Sequence, residues 1–194
     1  MTTISIKKAT QLDLEQIINS IVLSFSADPV ARWMYPSAQQ YLRSFPDFVR
    51  TFGAKAFDSE TIYYSDRHSG AAFWFPPHTE PESEAINAFL QQTISQQQLE
   101  KISAVFEQMG NYHPHEPHWY LAILGVEPTH QKKGYGLALM KQVLALCDRD
   151  GTIAYLESSN TKNIPFYEKQ GFEVIGKIQA GESPIIFPML RYPR

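Results

Sequence analysis

The sequence predicts a single α/β domain built on a mixed sheet, and three observations carry that expectation. Apolar runs of strand length alternate along the chain with stretches whose apolar residues recur at helical spacing, as in folds that layer helices on a sheet. The segment from His118 to Val126 is almost free of polar side chains, the mark of a strand covered on both faces. The chain has 194 residues, 43% of them hydrophobic and 19% charged, enough for one sizeable core and too apolar for a disordered chain. No repeat or linker interrupts it, so residues 1–194 are expected to form one domain.

In order, Ile4 to Lys7 alternates and predicts a short strand. Thr10-Gln11-Leu12-Asp13 has the form of a capping box with Asp for Glu, and Leu14, Ile17, Ile18, Ile21, Val22 and Phe25 follow at helical spacing. Asp28-Pro29 reads as the end of that helix. A second helix is expected from Ser37 to Phe57, interrupted near Pro46. Strands at 61–64 and 71–75 flank a turn over Arg67–Gly70. One helix is predicted from Glu84 to Met109, then a proline- and histidine-rich loop over 111–117. After the 118–126 strand come a helix from Gly134 to Cys147, a strand at 152–157, and a short helix from Asn160 that Gly171 stops. Strands at 172–178 and 185–190 close the chain.

The net charge of -3 gives no electrostatic footprint for nucleic acid, and no basic run points to a membrane surface. The single cysteine, Cys147, excludes an internal disulfide framework and suits a reducing compartment. The N-terminus carries no apolar leader and no segment reaches transmembrane length, so the expectation is a cytoplasmic protein, monomer or homodimer. His113, His115, His118 and Glu116 share one loop, but Pro114 and Pro117 mark it as constrained surface, and no metal site is expected.

The informative segment is Leu124-Gly125-Val126-Glu127-Pro128-Thr129-His130-Gln131-Lys132-Lys133-Gly134-Tyr135-Gly136. A buried strand leads through a glycine-containing turn into a helix whose unpaired N–H groups and positive end suit a phosphate. Gly134 and Gly136 allow close backbone approach. Lys132 and Lys133 supply charge for a pyrophosphate or a nucleotide 3′-phosphate. A Rossmann turn would need a third glycine where Leu139 stands, and the Gly-Lys-Ser/Thr of a P-loop is absent.

What remains, Gln131-x-x-Gly134-x-Gly136, resembles the pyrophosphate-binding signature of the GNAT acetyltransferases. A second block, Asn160 to Phe172 with Tyr167-Glu168-Lys169-Gln170-Gly171-Phe172, is similar to the family segment that closes the cofactor site. The likeness is strong over about residues 118–192. Within the superfamily it extends to puromycin N-acetyltransferase-type proteins through Trp119-Tyr120-Leu121-Ala122, Leu156-Glu157-Ser158-Ser159 and Asn163-Ile164-Pro165-Phe166-Tyr167-Glu168. The resemblance implies the GNAT, or acyl-CoA N-acyltransferase, fold: a mostly antiparallel mixed sheet with one splayed parallel pair, flanked by helices. It implies acetyl-CoA as the acetyl donor and an amine, pointing to a small molecule, as acceptor.

By the same resemblance, Leu124, Gly125 and Val126 would line the pantetheine arm, and Gln131, Lys132, Lys133, Gly134, Tyr135 and Gly136 would hold the pyrophosphate. Asn160, or alternatively Asn163, would contact the cofactor, and so would Tyr167. Tyr167, with an ordinary pKa of about 10, would donate to the leaving sulfur or merely orient the thioester. Many relatives carry a glutamate base on the strand before the loop. Here that strand has none, which leaves His118, Glu157 or a water relay as the base. A protein acceptor, or a silent acyl-CoA-binding domain, are the competing readings.

Overall fold

The computed structural model describes residues 4–194; Met1–Thr3, at the start of the N-terminal stretch, lie outside the described residues. Seven strands form one sheet: β1 (Ile6–Lys8), β2 (Ile62–Ser65), β3 (Gly70–Phe75), β4 (His118–Val126), β5 (Ile153–Ser158), β6 (Glu173–Val174) and β7 (Phe187–Arg191). Their order is β1-β2-β3-β4-β5-β7-β6. Every neighbouring pair is antiparallel except β4 and β5, which run parallel. This is the GNAT fold.

Eight α-helices cover the sheet: α1 (Leu14–Ser24), α2 (Pro29–Met34), α3 (Ala38–Phe52), α4 (Ala54–Asp58), α5 (Ser83–Thr93), α6 (Gln96–Tyr112), α7 (Tyr135–Asp150) and α8 (Ile164–Glu168). One sheet face packs Leu121, Ala154, Leu156 and Trp74 against Leu139, Met140 and Val143 of α7 and Tyr167 of α8. The other face packs Phe73, Phe75, Tyr120, Ile123 and Tyr155 under α1, α3, α5 and α6. Covering both faces explains why β3 and β4 read as nearly continuous apolar runs.

Five boundaries differ from the sequence expectation. The helix expected from Ser37 to Phe57 divides at Gly53 into α3 and α4. Asp28-Pro29 starts a helix: Asp28 Oδ1 accepts from the N–H groups of Val30 and Ala31, both at 3.0 Å, and Pro29 occupies the first helical position, where a missing N–H costs nothing. Pro46 lies inside α3 without breaking it; it deprives the carbonyl of Leu42 of its partner, and Leu42 is 64% exposed, so water can replace the lost bond. The 84–109 region is two helices, because Ile94 and Ser95 are extended and the Ser95 hydroxyl caps α6 by accepting from Gln98 N–H at 3.3 Å. The closing strands are short: after Val174 the Ile175 N–H still donates to Pro188 O of β7 at 2.9 Å, then only an Ile178–Ile186 bridge follows, and Ile178 is buried against Val105 of α6. Elsewhere, Asp13 reaches back to the Thr10 N–H at 2.9 Å, half of the capping box that was read there.

Candidate active site

The centre of the sheet opens where β4 and β5 part. Their parallel register runs from His118↔Ile153 to Leu121↔Leu156 and stops, although both strands continue. The cause lies on the opposite edge of β4. Against β3, Ile123 pairs with Phe73 and Leu121 with Trp74, so Ala122 is an extra residue, a β-bulge. A bulge bends its strand and sharpens its twist. Beyond it, β5 stays with β7 through Glu157↔Pro188 and Ser158↔Phe187, while β4 stays with β3.

The main chain left uncovered can be identified. Glu127 N–H donates to Ser69 O at 2.9 Å, which assigns the alternate residues Gly125 and Ile123 to the β3 ladder as well. The polar groups of Leu124 and Val126 therefore face the opened side. Consistent with this, Gln131 Nε2 donates to Val126 O at 3.1 Å. Gly125 serves packing: a Cβ there would meet Ile21 Cδ1 at 2.7 Å and Ser24 Cβ at 2.9 Å, so its absence lets α1 lie close over the gap.

A 3₁₀ turn over 128–130 leads from β4 to α7. Lys132 and Gly134 both have positive φ, 60° and 92°, and Gly134 is the residue before the first turn of α7. No side chain caps that end, and no acidic residue lies in its first turn. The N–H groups of a 16-residue helix thus point outward with the positive end of its dipole. Lys132 and Lys133 are exposed beside it, and Lys133 Nζ donates to Thr129 O at 2.8 Å. Tyr135 rests edge-on against His130, and the space above Gly136 is bounded by the Phe166 ring, 3.3 Å from where a Cβ would stand.

Across the gap, Asn160 caps the following turn by accepting from Lys162 N–H at 3.0 Å, whereas Asn163 is exposed and caps nothing with its side chain. Tyr167 is buried between Phe166 and Phe172. Burial, and next the charge of Asp28, push its phenol far up, so it stays protonated throughout the neutral range. Asp28 itself is tied to the same rim: Ser159 Oγ donates to its Oδ2 at 2.5 Å, joining residues 131 positions apart. Burial raises the Asp28 carboxyl above its ordinary value.

Glu157 follows directly on the end of the parallel pairing and shares the Tyr155 face of β5. Its side chain is only 4% exposed, yet Oε1 has no hydrogen bond. Its nearest basic atom is His113 Nε2, at 3.1 Å and off the hydrogen-bonding line. His113 packs edge-on to Tyr120 and tilted on Tyr155. The phenols of both tyrosines are raised, first by burial and then by the Glu157 charge. His118 approaches from β4, with Nε2 at 3.4 Å from His113 Nδ1. Burial lowers its pKa below the ordinary 6.5. The structure thus brings His118 and Glu157 into one cluster through His113, a residue that sequence reading weighed only as a possible metal ligand. Asp28 and Ser159 were likewise assigned no role from sequence; their contact depends on the meeting of two distant loops.

Residues 101–172 match the family model described as Acetyltransferase (GNAT) family. That stretch runs from α6 through the bulged strand, the α7 turn and β5 to Phe172. The matched stretch, 101–172, is well under half of the chain. Over 54 residues it is 44% identical to an uncharacterized N-acetyltransferase of Schizosaccharomyces pombe, a match covering 28% of this chain and 22% of the other. Over 85 residues it is 29% identical to N-alpha-acetyltransferase 50 of Danio rerio, covering 38% of this chain and 51% of that protein. The chain therefore matches no more than about half the length of either relative. Across its whole length it is similar in fold to a solved protein of Corynebacterium glutamicum described as histone acetyltransferase HPA2 and related acetyltransferase. The TM-score is 0.70 at 21% identity, with 100% of this chain and 98% of the other covered.

Proposed function

We propose that the chain is an acetyl-CoA-dependent N-acetyltransferase that passes acetyl directly to a primary amine of a small molecule, both substrates being bound at once. The observation that carries this reading is the opened β4–β5 pair, with an uncapped helix N-terminus at one side and a buried carboxylate whose Oε1 lacks a hydrogen bond at the other.

The outward N–H groups of Tyr135 and Gly136, with Gly134, Gln131, Lys132 and Lys133, are the groups suited to the pyrophosphate. Leu124 and Val126 offer the main-chain edge along which a pantetheine arm would pair as an added strand, and Gly125 keeps that edge close to α1. The Val126 N–H is placed to stabilise charge on a thioester oxygen. Asn160 and Asn163 lie at the entrance to α8, where either amide would meet the cofactor. Tyr167, held protonated, donates to the departing sulfur. Glu157 takes a proton from the amine nitrogen, with His118 in the same cluster. The likeness to puromycin N-acetyltransferase-type proteins supports a small-molecule acceptor. The relation to N-alpha-acetyltransferase 50 of Danio rerio supports the second reading, transfer to a peptide amine.

Calorimetric titration with acetyl-CoA, followed by thiol-release assays on phenethylamine, spermidine and a short peptide, tests this. Binding with turnover of the small amines is expected. Turnover of the peptide alone would select the second reading, and binding without any turnover would mean a silent acyl-CoA-binding domain.

A further inference from the structure

Hydrogen-bond bookkeeping around Glu157 leads to a specific conclusion about the proton. The carbonyl of Glu116 can only accept, so the 2.9 Å contact from His118 Nδ1 places a hydrogen on that nitrogen. A neutral His118 then presents a bare Nε2. The 3.4 Å contact to His113 Nδ1 therefore needs the hydrogen on Nδ1 of His113. That leaves His113 Nε2 bare as well, and it lies 3.1 Å from the Glu157 Oε1 that has no partner. These tautomers follow from the network of partners. No hydrogen then lies between Glu157 Oε1 and His113 Nε2, whose side chains are 4% and 27% exposed, and the pair can take up one proton.

We infer that Glu157 and His113 form a joint proton acceptor for the incoming amine, and that His118 passes the proton to the surface. The inference rests on the acetyltransferase reading above. An amine arrives as an ammonium ion, and the overall conversion of ammonium and thioester to amide and thiol releases one proton. The first ammonium proton moves to the space between Oε1 and Nε2, leaving a neutral nitrogen to attack the carbonyl carbon. As the tetrahedral adduct collapses, the C–S bond breaks. Tyr167 gives its proton to the sulfur, and the nitrogen's second proton restores the phenol. The first proton leaves by relay: His113 releases its Nδ1 hydrogen to His118 Nε2, His118 releases its own to water, and exchange with water at the surface then returns both rings to their Nδ1–H tautomers.

The exit has the right surroundings. A surface depression is lined by His113 and His118 together with His78, Glu80, His115 and Glu116, while Glu157 lies behind it. Other titratable groups face the cluster: Tyr120 on β4 and Tyr155 on β5 pack on His113, and Tyr112 lies at the end of α6. Burial keeps both phenols protonated at neutral pH. His113 shares the proton with Glu157, and His118 acts only through His113.

The first test needs no turnover. Histidine ring ¹⁵N spectra of the full chain, without cofactor or amine, should show His113 and His118 as Nδ1–H tautomers at pH 7.5. An Nε2–H tautomer at His113 would overturn the inference. The second test is kinetic, using whichever of phenethylamine, spermidine or the peptide turns over fastest. His113→Gln should lower kcat on the order of tenfold at pH 7, leave KM for acetyl-CoA unchanged and shift the acidic limb of the pH profile. Added imidazole should restore activity to His113→Ala. Because His113 packs on two tyrosines, His118→Gln is made in parallel; it should slow turnover several-fold and enlarge the solvent isotope effect. Variants with an unchanged pH profile and no rescue would refute the relay while leaving the acetyltransferase assignment intact. Wild-type protein that turns over none of the three amines would refute the assignment and leave the tautomer result standing on its own.

Discussion

At the scale of single residues, the site separates two protons by burial. Tyr167 is kept protonated by its apolar surroundings and by the Asp28 charge. Tyr167→Phe keeps the ring packing and removes only the hydroxyl. It should lower kcat on the order of 10²-fold with little change in acetyl-CoA affinity, measured by steady-state kinetics beside calorimetry. His118 is pushed the other way. Its folded pKa lies below 6.5 because burial disfavours the imidazolium, so the unfolded chain takes up the proton more readily. Stability is full above pH 6.5, falls on acidification through that value, and stops falling from this source below the folded pKa. Urea midpoints measured from pH 7.5 to 5 should show the decline, and His118→Gln should flatten it.

At the scale of elements, the capping of α2 ties the α1–α2 connection to the turn after β5 through Asp28. Asp28→Ala removes the acceptor for Val30 and Ala31 and the Ser159 contact together, and should cost about 1–2 kcal/mol in urea unfolding. Asp28→Asn keeps an oxygen for the cap and drops a charge that burial penalises, so it should stay within about 1 kcal/mol of the wild type. The sequence announced the elements carried by local signals. The α7 start at Gly134 and the apolar run of β4 were legible because the signal for each lies within a short stretch of sequence. Asp28-Pro29 was misread because the same dipeptide ends one helix and opens the next. The break at Ser95 was hidden because apolar residues continue at helical spacing on both sides of it. His113 beside Glu157 could not be read at all: α6 must finish and fold back over β5 before the two meet.

At the scale of the whole molecule, the mixed sheet could be predicted from the interleaving of strands and helices, and the family resemblance supplied the splayed pair. The strand order could not be read directly, since β7 inserts between β5 and β6 through pairings far apart in the chain. That insertion lets β5 keep an antiparallel partner from Ala154 through Ser158, as β4 keeps β3, so beyond Leu156 each strand loses hydrogen bonds only on the edge facing the other.

The bulge at Ala122 has a consequence for how the protein breathes. A fold normally spends its deepest strand as its most rigid one; here the middle of the molecule holds a strand whose far half lacks one neighbour. In deuterium-exchange mass spectrometry, the amides of Leu124 and Val126 should label much faster than those of Tyr120 and Leu121, despite equal depth in the chain's centre. Saturating acetyl-CoA should slow that labelling selectively, because the ligand would act as the missing eighth ribbon. Uniform protection along β4 before ligand is added would mean that the seam is closed in solution.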